Sequence, residues 1–195
     1  MVTSDAWTFS TTDLAKSSSD LARKAALDGA PTGTGFLVGE QTAGRGRRGR
    51  TWLSPQGGMY LSLVLRPEMD KRFWPLLSFV VALAARETIQ DVLASYRPLV
   101  KWPNDILVNA RKIGGILLEG VENFLIAGIG INVAPVQAVT DMQGHMMPTS
   151  LVDLGNDVTS PPLLATAYMD NLARRYDEFY RTGFAPVREE WMLHA

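Results

Sequence analysis

The chain has 195 residues, 46% hydrophobic and 20% charged, with a formal net charge of −1, the mix of a globular domain with a buried core rather than of a disordered chain. A balance so near neutral excludes coating nucleic acid through a general basic field, because domains that do so are strongly basic. The absence of cysteine removes disulfides, thiolate zinc sites, iron–sulfur clusters and a cysteine nucleophile together, and the two histidines, His145 and His194, lie too far apart in sequence to mark a metal centre.

The N-terminal "MVTSDAWTFS" has no basic stretch followed by an apolar run and does not read as a secretory signal. The most apolar window, Phe73 to Ala85, is bounded by Arg72 and Arg86 and falls short of the roughly 20 residues that a bilayer crossing requires. A cytoplasmic protein without membrane contact is expected.

Leu14, Leu21, Ala22 and Ala25 recur near helical spacing and predict an amphipathic helix over Asp13 to Asp28, capped by Thr11 or Thr12 and ended by Gly29. "GFLVGEQ" reads as a strand that runs into an arginine-rich loop, and "MYLSLVLRP" as a further strand stopped by Pro67. A long helix is expected from about Asp70 to Ser95. "PLVKW", "DILVN", "KIGGILLEG" and "NFLIAGIGINV" are short runs joined by turn-forming residues, a spacing that favours hairpins over alternating βαβ units. "APVQAVTDMQGHMMPTS" has no periodicity and reads as a mobile loop. Ser160 before Pro161 and Pro162 opens a helix, whose Leu164, Tyr168, Leu172 and Phe179 share a face up to Gly183, and "APVREEWMLHA" adds a last short helix. The expected fold class is α/β in the α+β sense, a mixed and largely antiparallel sheet flanked by helices, in one domain over residues 1–195.

Three stretches carry chemistry. "GRGRRGR", Gly44 to Arg50, places four arginines in a glycine-rich loop. Guanidinium forks grip phosphate or carboxylate bidentately, and the glycines let backbone amides approach the same anion. A ligand phosphate, an arginine–glycine contact to nucleic acid and a solvated basic turn all fit this stretch taken alone. "KWPNDILVNARKIGG" sets Asn104 and Asp105 in a turn and Lys112 just before Gly114 and Gly115. Each of these singly also fits a structural role: a hairpin turn, a solvated lysine or a bulge. "GIGIN", Gly128 to Asn132, lacks the G-x-G-x-x-G form, and no Walker-type P-loop occurs. Any ATP must therefore be gripped by another device.

In combination, "STTD" at Ser10, "QTAGRGRRGRTW" at Gln41, "KWPND" at Lys101, "KIGGILLE" at Lys112 and "GIGINV" at Gly128 resemble, in order and spacing, the bacterial biotin protein ligases of the monofunctional type. The resemblance spans Ser10 to Trp191. It implies an enzyme that joins biotin to ATP as biotinyl-5′-adenylate with Mg2+, then transfers biotin to one lysine of an apo biotin carboxyl carrier protein. By position, Ser10, Thr11 and Gln41 are expected to hold the ureido head of biotin. Arg45, Gly46 and Arg47 would close over its carboxylate, with Arg47 also catalytic. Arg48, Arg50 and Trp52 would serve the ATP phosphates and nucleotide. Lys112 would bridge the biotin carboxylate and the α-phosphate, with Asn104 and Asn132 around the nucleotide and Gly115 and Gly128 in the pocket wall. The arginine loop and the Val133 to Ser150 loop would close together over the adenylate and exclude water.

The family usually has Asn where this chain has Thr12, so no biotin contact is carried to that position. No winged helix-turn-helix precedes Ser10, so DNA binding is not expected, and the small SH3-like barrel that usually follows Trp191 is missing before the last residue, Ala195. A homodimer through an exposed strand stays open. A lipoate or octanoate ligase or transferase on the same fold is the nearest alternative, and a non-catalytic RNA-binding module the alternative of another class. The near-zero charge and the lack of an interleaved aromatic platform speak against the latter.

Overall fold

The structure, a computed structural model, describes residues 7–136 and 146–195. Seven strands form one sheet in the order β1-β2-β3-β7-β6-β5-β4. These are β1 Thr8–Ala15, β2 Thr34–Gln41, β3 Met59–Leu65, β4 Leu99–Lys101, β5 Asp105–Val108, β6 Arg111–Val121 and β7 Phe124–Ile131. β1 pairs with β2 in parallel and every other pair is antiparallel, so the sheet is mixed and largely antiparallel as the turn spacing implied. The hairpins β4-β5, β5-β6 and β6-β7 are those that the Pro-Asn-Asp, Asn-Ala-Arg-Lys and Glu-Asn turns announced.

The first predicted helix is corrected. Residues 8–15 are an exposed edge strand, and helix α1 runs only over Ser18–Leu27, capped by Ser17, whose side chain accepts from the Ser19 amide. The β-branched run Thr8, Thr11 and Thr12 favours extended backbone, and a serine directly before the apolar period makes a better cap than either threonine, which the strand has already used. The second helix is likewise divided. Asp70 caps a 3-10 turn over Lys71–Leu76, and helix α2 follows over Leu77–Val92. Pro75, inside the turn, has no N–H to donate to a continuous α-helical ladder. Helices α3, Pro161–Thr182, and α4, Phe184–Leu193, lie where expected, with Leu164, Tyr168, Leu172 and Phe179 buried. The expected loop after Val133 falls partly on residues 137–145, outside the described residues.

The sheet has two different faces. On one, Met59, Leu61, Leu63 and Leu65 of β3 and Leu125, Ala127, Ile129 and Ile131 of β7 join α2 and α3 in the main core. On the other, Val64, Phe124 and Ile126 pack under Ala22 and Ala26 of α1. The period of two along a strand therefore sends Tyr60 and Ser62 of β3, and Gly128 and Gly130 of β7, to the α1 face, beyond the end of that small cluster. There a cleft opens.

Candidate active site

The cleft, about 980 Å³ in volume, lies between the sheet, the first turn of α1, the arginine loop and the turn at Trp102–Asp105. That is ample for a drug-sized ligand. Its floor is largely main chain. Ser62, Gly128 and Leu117 form one cross-strand row, and Tyr60, Gly130, Gly115 and Asp105 form the next. A Cβ at Gly130 would stand 2.6 Å from Trp52 Nε1, and one at Gly115 would stand 2.9 Å from Trp52 Cζ3. The indole of Trp52 thus rests on two glycines, and no side chain larger than hydrogen fits beneath it.

One end of the cleft is polar and neutral. Gln41, at the end of β2, accepts through Oε1 from the Ser18 amide at 2.8 Å and from Ser18 Oγ at 3.1 Å, and donates through Nε2 to Ser54 Oγ at 2.7 Å. Ser18 Oγ and Ser19 Oγ stand 2.8 and 3.2 Å from Ser62 Oγ. Gly128 sits below them, with Ser19 Oγ and Ser62 Oγ both 3.4 Å from the place its Cβ would occupy. Buried hydroxyls fixed in this way offer donors and acceptors to a neutral head group without any charge. Beside them, burial and the field of Glu40 push the Tyr60 phenol up to about 12; its hydroxyl, kept neutral, donates to the Pro55 carbonyl.

The other end is cationic. Lys112 Nζ lies 2.6 Å from Asp105 Oδ1 and 5.0 Å from the centroid of the Trp52 ring. Asn104 donates from its side chain to the Ile116 carbonyl, whose own amide donates back to Asn104 O, so the Asn104 turn is clamped to β6. Asn132 is buried and donates through Nδ2 to the Thr149 carbonyl at 2.9 Å. Lys112 exchanges backbone bonds with Met147 and Thr149, so residues 147–149 run along the lysine as a short wall. Asp105 is the cleft's one carboxylate among the described residues.

The arginine loop bends back on itself: the Gly46 amide donates to Arg50 O at 2.7 Å and the Trp52 amide to Gly44 O at 2.9 Å. Gly44 is obligatory, since a Cβ there would lie 2.3 Å from Trp52 O. Arg48 takes a left-handed conformation, φ 57° and ψ 35°, and Gly49 follows at φ 74°. Arg47, Arg48 and Arg50 are exposed, line the cleft and have no acidic partner within salt-bridge distance among the described residues. Arg45 differs. Burial alone would lower its pKa, but the hydrogen bond to Asp20 and the charges of Glu119 and Asp20 raise it, so its guanidinium is committed to two carboxylates.

Of the residues expected from the sequence, the structure brings Gln41, Arg45, Gly46, Arg47, Arg48, Arg50, Trp52, Asn104, Lys112, Gly115, Gly128 and Asn132 to this one cleft. Ser10 and Thr11 are a correction. Both are exposed on the edge strand β1 and neither lines the cleft; Thr12 is exposed beside them. Their place is taken by Ser17, Ser18 and Ser19, which the sequence reading passed over. The available signal was a serine triplet directly before the period Leu21, Ala22, Ala25 and Ala26, the mark of a helix start. Asp105, Tyr60, Ser62, Leu117 and Gly130 were also missed as site residues, the last four because each is one member of an ordinary strand alternation.

Residues 14–135 match the Biotin/lipoate A/B protein ligase family, and the chain belongs to that family. It is 33% identical over 199 residues to the bifunctional ligase/repressor BirA of Bacillus subtilis, covering 94% of this chain and 58% of the relative. It is 36% identical over 167 residues to the biotin--[acetyl-CoA-carboxylase] ligase of Paracoccus denitrificans, covering 82% of this chain and 69% of the relative. Among solved structures it resembles the biotin protein ligase of Leishmania major in complex with biotinyl-5-AMP, with a TM-score of 0.81 and 30% identity over 95% of this chain and 80% of that one. The biotin protein ligase of Aquifex aeolicus shares the fold, with a TM-score of 0.83 at 24% identity over 94% of this chain and 76% of that one. The chain thus spans little more than half the length of the Bacillus relative. Among the described residues, no helix is long and apolar enough to cross a membrane.

Proposed function

We propose that this chain is a biotin–protein ligase: it joins biotin to ATP as biotinyl-5′-adenylate and passes the biotinyl group to a lysine of a biotin carboxyl carrier protein. The observation that carries this reading is the pairing, in one cleft, of a fixed neutral polar end at Ser18, Ser19, Gln41 and Ser62 with a cationic end at Lys112 and the arginine loop. A ureido head with a distal carboxylate has that same polarity. The plain alkyl chain of octanoate, or the dithiolane of lipoate, would cover these hydroxyls and the amide without using their remaining donor and acceptor capacity, whereas a ureido head would use it.

In the first step a carboxylate oxygen of biotin attacks the α-phosphorus of ATP; the new C–O–P link forms as the bond to pyrophosphate breaks. Two anions must meet, and the fixed ammonium of Lys112 offsets their repulsion where charge gathers in the transition state. Lys112 has three N–H donors. One is taken by Asp105, which leaves two for the carboxylate and the phosphate. Arg47, Arg48 and Arg50, unengaged by carboxylates among the described residues, serve the phosphates. In the second step the amine of the acceptor lysine attacks the carbonyl of the mixed anhydride and AMP departs.

No cluster of three or more His, Asp or Glu residues that would cage a metal ion occurs among the described residues. Mg2+ favours few protein carboxylates together with substrate phosphates, and so the residues present fit an ion that arrives on the triphosphate, with Asp105 as the carboxylate within the cleft.

The test is biotin-dependent pyrophosphate release and transfer of biotin to an apo carrier domain, with lipoate and octanoate as competitors and Lys112→Ala as control. Equal turnover of octanoate, or full activity of the control, would overturn the reading.

A further inference from the structure

Arg45 carries a second arrangement, separate from the anion-facing arginines. Its Nη1 donates to Asp20 Oδ1 at 2.7 Å and its Nη2 stands 3.6 Å from Glu119 Oε2, while Arg23 of α1 donates to Glu119 Oε1 at 3.2 Å. Four charges thus alternate in a chain, Asp20, Arg45, Glu119 and Arg23, that crosses from the first turn of α1 to the arginine loop, on to β6 and back to α1. Asp20 directly follows Ser19 of the polar end. Glu119 lies on the α1 face of β6, opposite Ile126 of β7. The chain joins the stem of the loop to the two elements that frame the neutral end of the cleft.

The arrangement is incomplete as it stands. Arg45 Nε and Glu119 Oε2 are both buried and without a hydrogen-bond partner, and 3.6 Å is too long for a bond between Nη2 and Oε2. A small inward movement of the stem would close that gap and satisfy Glu119. Past Gly46 the backbone changes hand at Arg48 and Gly49, and Arg47, Arg48 and Arg50 are unpaired with any described carboxylate. The loop is therefore built in two parts, a stem held by carboxylates and a tip left for anions.

We propose that Asp20 and Glu119 are positioning residues that hold the stem of the arginine loop through Arg45, and that tightening of the Arg45–Glu119 contact secures the loop over the activated intermediate. Neither carboxylate lines the cleft. Their effect reaches the reaction through where the loop stem lies, so it bears on retention of the intermediate and on capture of biotin rather than on the chemical step. This rests on the biotin–protein ligase reading above.

The experiment uses the full chain and measures the release rate of preformed biotinyl-adenylate, together with KM for biotin and kcat, in Asp20→Asn, Glu119→Gln, Arg45→Gln and the double variant Asp20→Asn/Arg45→Gln. The expected result is release faster by about three- to fivefold in each single carboxylate variant, the factor that partly exposed ion pairs are worth, with KM for biotin raised in step and kcat within about twofold. The double variant should release no faster than Arg45→Gln alone, because Asp20 acts only through that arginine. Asp20→Glu, which restores the charge, should recover most of the retention. Additive effects in the double variant, or wild-type release in both carboxylate variants, would overturn the proposal. A wild-type chain that forms no adenylate from biotin and ATP would overturn the functional reading on which it rests, a result distinct from either. Should a variant lose its thermal transition, Glu119→Asp, which keeps the charge but shortens its reach, decides instead: unchanged release there would also overturn the proposal.

Discussion

Lys112 Nζ and Asp105 Oδ1 are 2.6 Å apart across the β5-β6 hairpin, and each side chain is at most a quarter exposed. A β-bulge between Ile106 and Leu107 shifts the register just there, so that Lys112, which would otherwise alternate away, faces the carboxylate at the mouth of the cleft. The lysine is held ready rather than left to swing. Lys112→Ala should therefore lower the rate of adenylate formation by about 10²–10³, the scale of losing one fixed transition-state donor. Lys112→Arg keeps the charge but replaces a compact ammonium with a planar fork and should restore little. Asp105→Asn should fall between wild type and Lys112→Ala. Biotin-dependent pyrophosphate release reads all three.

The two glycines below Trp52 give a second expectation. In Gly130→Ala the new methyl meets Trp52 Nε1 at 2.6 Å and Cε2 at 2.8 Å, so the indole must lift. Overpacking of this kind costs about 1–3 kcal/mol. Gly130→Ala should lower the melting temperature, change tryptophan emission and weaken nucleotide and biotin binding together. Gly155→Ala, at a positive φ but with open space around it, should leave binding unchanged in the same titration.

At the neutral end, Gln41→Leu removes the partner of Ser18 and of Ser54 at once. Biotin affinity should fall by about 1–3 kcal/mol, as expected when buried donors are stranded, and calorimetric titration would show it. Affinity for octanoate should change less, since an alkyl chain never used those groups.

A third region governs stability in acid. Arg175, largely buried on α3, donates to Glu87 of α2 and to both oxygens of Glu190 on α4. The hydrogen bonds from Arg175, against a smaller opposing effect of burial, hold the Glu190 carboxyl below its usual value. A carboxyl depressed in the folded state binds its proton more readily when unfolded, so its contribution is complete above the unfolded value and fades as pH falls through the folded one. Glu190→Gln should therefore destabilise the chain at pH 7 by about 1 kcal/mol, a partly exposed pair being screened by solvent, and the difference from wild type should begin to fade as the pH drops below about 4 and disappear only once it has passed the lower value of the folded state. Urea melts at the two pH values measure it.

Much of this architecture could be read from residues near one another in the sequence. The hairpins β4-β5-β6-β7 follow from local turn chemistry, and the arginine loop and Lys112 announced themselves by composition. What escaped depends on contacts between distant segments. The apolar spacing predicts a helix from Asp13, yet parallel pairing with β2, a contact between distant segments, keeps Asp13–Ala15 in the strand and delays the helix to Ser18. The resemblance set its polar contacts at Ser10 and Thr11, whereas the residues that line the cleft are Ser17–Ser19, at the start of the helix. Arg45 shows the same limit from another side: its neighbours in sequence mark it as an anion-binding residue, while its partners, Asp20 and Glu119, lie 25 residues earlier in the chain and on β6.

The glycine rows of β7 have a further effect. Gly128 and Gly130 face the cleft, while Ile129 and Ile131, between and beside them, face the main core under α2 and α3. A single layer of backbone separates the cleft from the main core. A methyl group gained or lost at Ile129 or Ile131, far from any substrate atom, would shift the surface on which Trp52 rests. The cleft and the core thus make their demands on alternate residues of the same strand.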